Sequence, residues 1–161
     1  MDKLLNEARS REIAQEIRSK AKQPFENAYK AALAIKDALY VQGFLVSKAR
    51  SSEPIEHGWL ELDDCLIDPN LPHLQGNPET LFYFTAQRLS VENLKAAVEE
   101  AKEDYPEDDP LPIYGTTPYE YYGNVMLGGK EYQEAFAAAE AKCQELQSSN
   151  GKNTNGHNSL N

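Results

Sequence analysis

The most constraining feature of the sequence is a pair of strand-like segments separated by two aspartates. The segments span residues 55–62 and 65–67, and both are rich in residues that favour strands. Asp63 and Asp64 between them have the number and type of residues that form a tight two-residue turn. The pattern therefore predicts an antiparallel β-hairpin.

This hairpin would bring a histidine and an aspartate to the same face of the sheet. With the two aspartates as the turn, Trp59 pairs with Asp68, and His57 pairs with Asn70. His57 and Asp68 are then diagonal neighbours, with roughly 6–8 Å between their backbones. A carboxylate that holds one imidazole nitrogen fixes the tautomer and raises the basicity of the other nitrogen. The pair is interpreted either as the base and orienting group of a nucleophilic triad or as a buried hydrogen bond that holds the hairpin together.

The rest of the chain predicts an α+β fold, a small antiparallel sheet packed by helices. We expect an N-terminal helical arm over residues 1–22, a single domain over 23–147 and a disordered tail over 148–161. Helical periodicity covers residues 24–39 and 130–147, and a further helix follows a cap at Ser90. Strands are predicted at 40–46, 55–62 and 81–84, with a polar loop at 47–54.

Composition narrows the possible partners. The net charge of −10 disfavours nucleic acid, because a phosphate backbone requires a positive face. No run approaches the roughly 18 apolar residues of a membrane span, and the first residues lack the layout of a signal peptide, so we expect a cytoplasmic protein without a membrane partner. Cys65 and Cys143 form no CxxC pair, and the spacing of His57, His73 and Asp68 matches no metal-ligand pattern. No metal or cofactor is predicted, and the oligomeric state is left open.

Four segments together resemble the papain-like and transglutaminase-like superfamily. They are Asn27-Ala28, Tyr40-Val41-Gln42-Gly43-Phe44, Glu56-His57-Gly58-Trp59-Leu60-Glu61 and Leu66-Ile67-Asp68-Pro69. The resemblance covers about residues 22–72. It implies a helix that presents a cysteine at its N-terminus, followed by strands that supply a histidine and then an aspartate, here His57 and Asp68. Gln23 and Pro24 stand where the cysteine is expected, so the resemblance implies a scaffold without its nucleophile.

Three functions are compatible with these features. The first is a catalytically impaired papain-like or transglutaminase-like scaffold that binds a peptide or protein partner in the former cleft. The second is an active hydrolase or transferase, in which His57 activates water or the hydroxyl of Ser51 or Ser52 and Asp68 orients the imidazole. The third is an acidic inhibitor or interaction protein directed at a basic surface, because residues 92–109 add to the net negative charge. Whether the chain is an enzyme is left open.

Further side chains are assigned to this site by position. Asn27 is a candidate catalytic residue, because its amide could donate a hydrogen bond to a carbonyl oxygen near the site. Trp59 is interpreted as a core residue and also as a candidate binding residue. Tyr119 and Tyr122 are candidate binding residues in the tyrosine-rich loop 106–128. That loop either lies over the hairpin and closes the cleft or packs the C-terminal helix onto the sheet.

Overall fold

The computed structural model describes residues 3–159, with side chains up to residue 149, and confirms a mixed α+β fold with a small antiparallel sheet. The helices and strands follow in chain order: α1 (Glu7–Ile17), α2 (Pro24–Ala34), β1 (Leu39–Ser47), β2 (Arg50–Glu61), β3 (Leu66–Ile67), β4 (Leu81–Leu89), α3 (Val91–Asp104), β5 (Tyr119–Tyr122), β6 (Val125–Gly128) and α4 (Lys130–Ser159). Two 3-10 turns lie at Leu71–His73 and Pro78–Thr80. Ser90 caps α3 as predicted, because its side chain accepts a hydrogen bond from the Asn93 amide.

The main sheet contains four antiparallel strands in the order β3-β2-β1-β4. Leu60 pairs with Ile67, and Glu61 pairs with Leu66, which is the register that a turn at the two aspartates predicts. The strand β3 is short because Pro69 has no N–H with which to extend the ladder. The predicted hairpin and its register are therefore confirmed.

The connection between β1 and β2 is shorter than predicted. The expected loop over residues 47–54 is wrong, because only Lys48 and Ala49 turn and β2 begins at Arg50. Pro54 is tolerated within β2 because its missing N–H would point to the unpaired edge of the strand. Alternating apolar and polar residues could not reveal this strand, since its first half packs against little of the core.

Strand β4 runs to Leu89, beyond the predicted residues 81–84, and contains a bulge opposite Gln42 and Gly43. A Cβ on Gly43 would overlap the carbonyl oxygen of Phe84. Glycine is therefore required where β4 approaches β1 most closely.

The helices pack on one face of the sheet, and the segment after β3 covers the other. The helix-covered face presents Tyr40, Phe44 and Val46 of β1. The opposite face buries Leu45 against Leu71 and Leu81. This opposite face is also the one on which His57 and Trp59 lie, because they pair with Gly43 and Val41.

The N-terminal segment is packed into the domain, and the prediction of an appended arm is corrected. Ile13 and Ala14 of α1 are buried, and the Asn6 amide donates to the Leu66 carbonyl. The weak amphipathicity of residues 1–22 hid this packing, because small side chains such as Ala14 and Ser10 make the contacts.

At the other end of the chain, α4 includes the segment predicted to be disordered as far as Ser159, and residues 160–161 lie outside the described residues. Within residues 3–159, no helix combines the length and apolarity needed to cross a membrane.

Candidate functional site

His57 and Asp68 meet as the hairpin register predicts. The His57 Nε2 atom lies 2.7 Å from Asp68 Oδ2, and the two side chains are 3% and 0% exposed. His57 is supplied by β2, and Asp68 follows the last residue of β3. The predicted contact between the two side chains is confirmed.

The Asp68 carboxylate is held by three further hydrogen bonds. Its Oδ2 atom also accepts from the Tyr83 hydroxyl at 2.7 Å, and its Oδ1 atom accepts from the Asn70 amide N–H at 2.8 Å and from Asn70 Nδ2 at 2.9 Å. The Asp68 main-chain N–H donates to Ser10 Oγ at 2.9 Å. Three residues, His57, Tyr83 and Asn70, thus hold the Asp68 side chain, and Ser10 holds its main chain.

These contacts keep Asp68 ionised. Burial alone would raise its pKa, but the charge of His57 and the hydrogen bonds from His57, Tyr83 and Asn70 lower it more, so the pKa lies below its ordinary 3.8. An ionised carboxylate only accepts hydrogen bonds, so the His57 Nε2 atom carries the proton of the shared bond. The Nδ1 atom of His57 is consequently the nitrogen available to other groups.

Tyr83 is the site residue that the sequence did not reveal. It lies on β4, on the other side of β1 from β2, and its hydroxyl donates to Asp68 Oδ2. Its ring packs 5.0 Å from Trp59 and 6.2 Å from His57. Burial and the neighbouring Asp68 charge raise the Tyr83 pKa, so its hydroxyl stays a donor. The β1–β4 register is a non-local property, and no local signal in residues 81–84 indicates it.

The structure corrects two of the three candidate binding residues. Trp59 is fully buried, as its core interpretation predicts, and its Nε1 atom has no hydrogen-bond partner among residues 3–149. Tyr122 is also buried, packed 5.4 Å from Phe44. Neither ring is accessible to a ligand. Tyr119 on β5 is 44% exposed, but it lies outside the cleft described below.

Asn27 has a structural connection to the site. Its Nδ2 atom donates to the Lys20 carbonyl and to Asn70 Oδ1, both at 2.7 Å, and its Oδ1 atom accepts from the Lys20 amide at 3.0 Å. Both N–H groups of the side chain are therefore used, and none is left for a substrate carbonyl. Asn27 instead links α2 through Asn70 to Asp68.

A cleft of about 620 Å³ lies where the N-terminus of α2 meets β2. Phe25 and Ile55 in its wall are half-buried and belong to none of the core clusters that the described residues form. The cleft is lined chiefly by residues 22–26, 55–57, 73–74 and 111–112, with Arg50, Asn70, Asp109, Asn124 and Val125. The first turn of α2 therefore faces a solvent-filled space beside His57.

His57 contributes to the lining of this cleft, although its side chain is only 3% exposed. The Nδ1 atom of His57 makes no hydrogen bond to another described residue. In residues 3–149, Trp59 Nε1 is the only side-chain nitrogen or oxygen that is both fully buried and without a partner. Nδ1 is therefore not completely buried, and it carries no hydrogen bond from a described residue.

Neither cysteine supplies a nucleophile to this histidine. Cys65 packs against the α1–α2 part of the core, and Cys143 packs among the aromatic residues beneath α4. Burial raises the pKa of both thiols, which disfavours the reactive thiolate. The first turn of α2 carries Pro24 at its first position, as predicted.

The serines proposed as alternatives are also distant. Ser51 and Ser52 lie at the beginning of β2, and His57 follows Ser52 by five positions along the strand. At roughly 3.3 Å per residue, this separation is about 16 Å. No hydrogen bond joins either serine side chain to His57 in the described part of the chain.

The remaining polar groups near the cleft give no sign of a metal site. Across the described part of the chain, no group of three or more His, Cys, Asp or Glu side chains is placed to hold a metal ion. The His73 Nε2 atom lies 3.0 Å from Ser19 Oγ and is turned to that contact.

Comparisons with models of protein families, with curated proteins and with solved structures find no match to this chain.

Proposed function

We propose that the chain is a papain-like or transglutaminase-like scaffold without its nucleophile, and that it binds a peptide or protein segment in the cleft beside α2. The observation that carries the proposal is the ordered His57–Asp68 pair, which lies beside an open cleft at a helix that begins with Pro24. A thiolate at this helix terminus would be activated by the helix dipole and the imidazolium. Proline cannot take that role.

The packing of α2 supports the scaffold part of the proposal. A Cβ on Gly58 would lie 3.2 Å from both the Pro24 carbonyl oxygen and Phe25 Cδ1. Since Gly58 follows His57, the first turn of the helix is set directly against the strand that bears the histidine. A small residue after the histidine permits this close approach.

The surface of the cleft supports binding. Apolar side chains at its wall, including Phe25 and Ile55, remain half-exposed although the protein has a packed core nearby. Covering such a surface with a ligand is favourable by about 25 cal/mol per Å² of apolar area. Charged residues, including Lys22, Arg50 and Asp109, lie around the apolar wall and offer polar contacts.

A selection experiment tests the proposal. Immobilised protein is incubated with a synthetic pool of random ten-residue peptides, and the retained peptides are identified by mass spectrometry. We expect enrichment of a reproducible subset and a loss of at least about tenfold with Ile55→Asp, because the charge would be placed in the apolar wall. Leu33→Asp is the matched control, since Leu33 is 45% exposed on α2 and outside the cleft.

Two results would contradict the proposal. The first is no enrichment by the folded wild-type protein, or equal enrichment by Ile55→Asp. The second is turnover of fluorogenic peptide amides or esters that His57→Ala abolishes. That second result would favour the alternative enzyme, in which His57 activates water.

A further inference from the structure

We infer that strand β4 pairs edge to edge with β4 of a second copy of this chain, so that the two main sheets join into one antiparallel sheet. The inference is independent of the peptide-binding function proposed above, because the described residues that line the cleft beside α2 include none from β4. Three features carry it, namely the open edge of β4, the direction of its main-chain groups and the complementarity of this edge to itself.

Strand β4 forms an open edge of the main sheet. Within residues 3–159, its neighbour in the sheet is β1 alone, whereas Leu66 at the opposite edge exchanges main-chain hydrogen bonds with Leu4 and Asn6. The nine residues of β4 include neither proline nor lysine, which usually protect such an edge from association. A space of about 570 Å³ extends along β4 and is lined by residues 81–85. The edge can therefore be reached by another strand.

The main-chain groups of β4 alternate in direction up to its bulge. The Lys48 N–H donates to the Thr80 carbonyl at 2.9 Å, so the main chain of Thr80 points toward β1. Since alternate residues of an antiparallel strand share a direction, Phe82 and Phe84 also bond to β1. The residues between them direct their N–H and carbonyl groups toward the open edge. These outward residues are Leu81, Tyr83 and Thr85.

The edge is complementary to itself about Tyr83. A two-fold axis at this residue pairs Tyr83 with Tyr83 of the second copy and Leu81 with Thr85, so the outward residues bond to each other in both directions. At the positions between them, Phe82 of one copy lies opposite Phe84 of the other. Both rings are half-buried and lie on the face of the sheet that α4 covers. Aromatic pairs across neighbouring strands stabilise a sheet.

The same axis matches two opposite charges at the ends of the edge. Glu79 stands four positions before Tyr83. Arg88 pairs with Val41, whereas Tyr83 pairs with Leu45, so the bulge places Arg88 only four strand positions beyond Tyr83. Glu79 of each copy therefore comes near Arg88 of the other, and the two-fold axis repeats this contact. Both side chains are exposed in the single chain.

The charge along this edge permits association, although the chain as a whole carries −10. The space beside β4 is lined by three basic and two acidic side chains, namely Lys3, Arg88, Lys142, Glu61 and Glu79. Two copies that meet here therefore bring together surfaces of nearly balanced charge. Arg88 contacts Glu61 through Nε at 2.9 Å, and the terminal nitrogens of its guanidinium provide further donors for Glu79.

Amide hydrogen exchange of the full chain tests the pairing without a variant. The exchange rates are measured by NMR at two protein concentrations about a hundredfold apart, since a dimer gains population with concentration. We expect the amides of Leu81, Tyr83 and Thr85 to exchange more slowly at the higher concentration. The amides of Phe82 and Phe84 should be equally protected at both, because they already bond to β1.

Sedimentation equilibrium of two matched variants tests the charge contact. Glu79→Arg should weaken the dimer at least about fivefold, because the symmetry replaces two attractive contacts with two repulsive ones. Glu107→Arg is the control, since Glu107 is exposed outside β4 and its replacement changes the net charge equally. Thr85→Pro should also weaken the dimer, and an edge strand tolerates proline where the N–H points outward.

Three results would overturn the inference. The first is a wild-type chain that sediments as a monomer at the higher concentration. The second is a dimer that Glu79→Arg and Glu107→Arg weaken equally, or one in which the slowed amides lie outside β4. The third is slowed exchange at Leu81, Tyr83 and Thr85 only after random ten-residue peptides are added, which would assign this edge to a peptide instead of a second copy.

Discussion

Asp68 joins the interactions that order the site. Its carboxylate accepts from His57, Tyr83 and Asn70, and its main-chain N–H donates to Ser10. A fully buried carboxylate is tolerated only when such partners replace its water. Because every partner comes from a different segment, loss of the charge would affect both the stability of the fold and the orientation of the imidazole.

Replacement of Asp68 by asparagine should destabilise the protein by roughly 2–4 kcal/mol at pH 7, because His57 and Tyr83 lose a charged acceptor in a buried site. The lowered pKa of Asp68 means that its contribution is present above the ordinary value of 3.8 and is lost as the pH falls through the lower folded value. Urea denaturation of both proteins should therefore give a constant difference above about pH 5 that shrinks below about pH 4. Asp63→Asn at the exposed turn is the control, and an equal effect of the two substitutions would contradict this account.

At the scale of elements, the geometry of the sheet depends on two glycines at close approaches. Gly43 admits the β4 bulge, whereas Gly58 admits the first turn of α2. In the first case an added methyl group would overlap main-chain atoms. In the second it would meet atoms 3.2–3.3 Å away, one of them on the Phe25 ring, so a small displacement would relieve it.

Gly43→Ala should accordingly cost more stability than Gly58→Ala. We expect a loss above about 3 kcal/mol for the former, since backbone must move, and about 1 kcal/mol for the latter. Chemical denaturation of both variants measures the difference. Similar losses, or a larger loss for Gly58→Ala, would show that the bulge does not depend on the missing side chain.

The elements also show which parts of the structure local sequence can predict. The hairpin register follows from two turn residues, so the His57–Asp68 contact could be derived from fewer than fifteen consecutive residues. Tyr83 could not, because its position depends on the bulged pairing of β4 with β1. The role of α1 was hidden for a different reason. The contact of α1 with Asp68 is a single hydrogen bond to the Ser10 hydroxyl, and the spacing of apolar residues along the helix cannot indicate such a bond.

At the scale of the whole molecule, the sheet, α1 and α2 assemble one site from distant parts of the chain. The hydrogen bonds from Asp68 through Asn70 to Asn27 connect β3 to α2. This connection fixes the helix terminus relative to His57, and α1 closes the other side through Ser10. The account therefore requires that the first residue of α2 lies in the field of the His57–Asp68 pair and of the helix dipole.

Installing a thiol at Pro24 tests this requirement most directly. The pH dependence of iodoacetamide alkylation gives the pKa of the thiol introduced by Pro24→Cys, and Ser52→Cys, at the exposed beginning of the same β2 strand, supplies the control. The account predicts a pKa at least about one unit below the ordinary 8.5 for Pro24→Cys, a value near 8.5 for Ser52→Cys, and a return toward 8.5 when His57→Ala is added. An unshifted pKa for Pro24→Cys, or a shift that His57→Ala leaves unchanged, would contradict it.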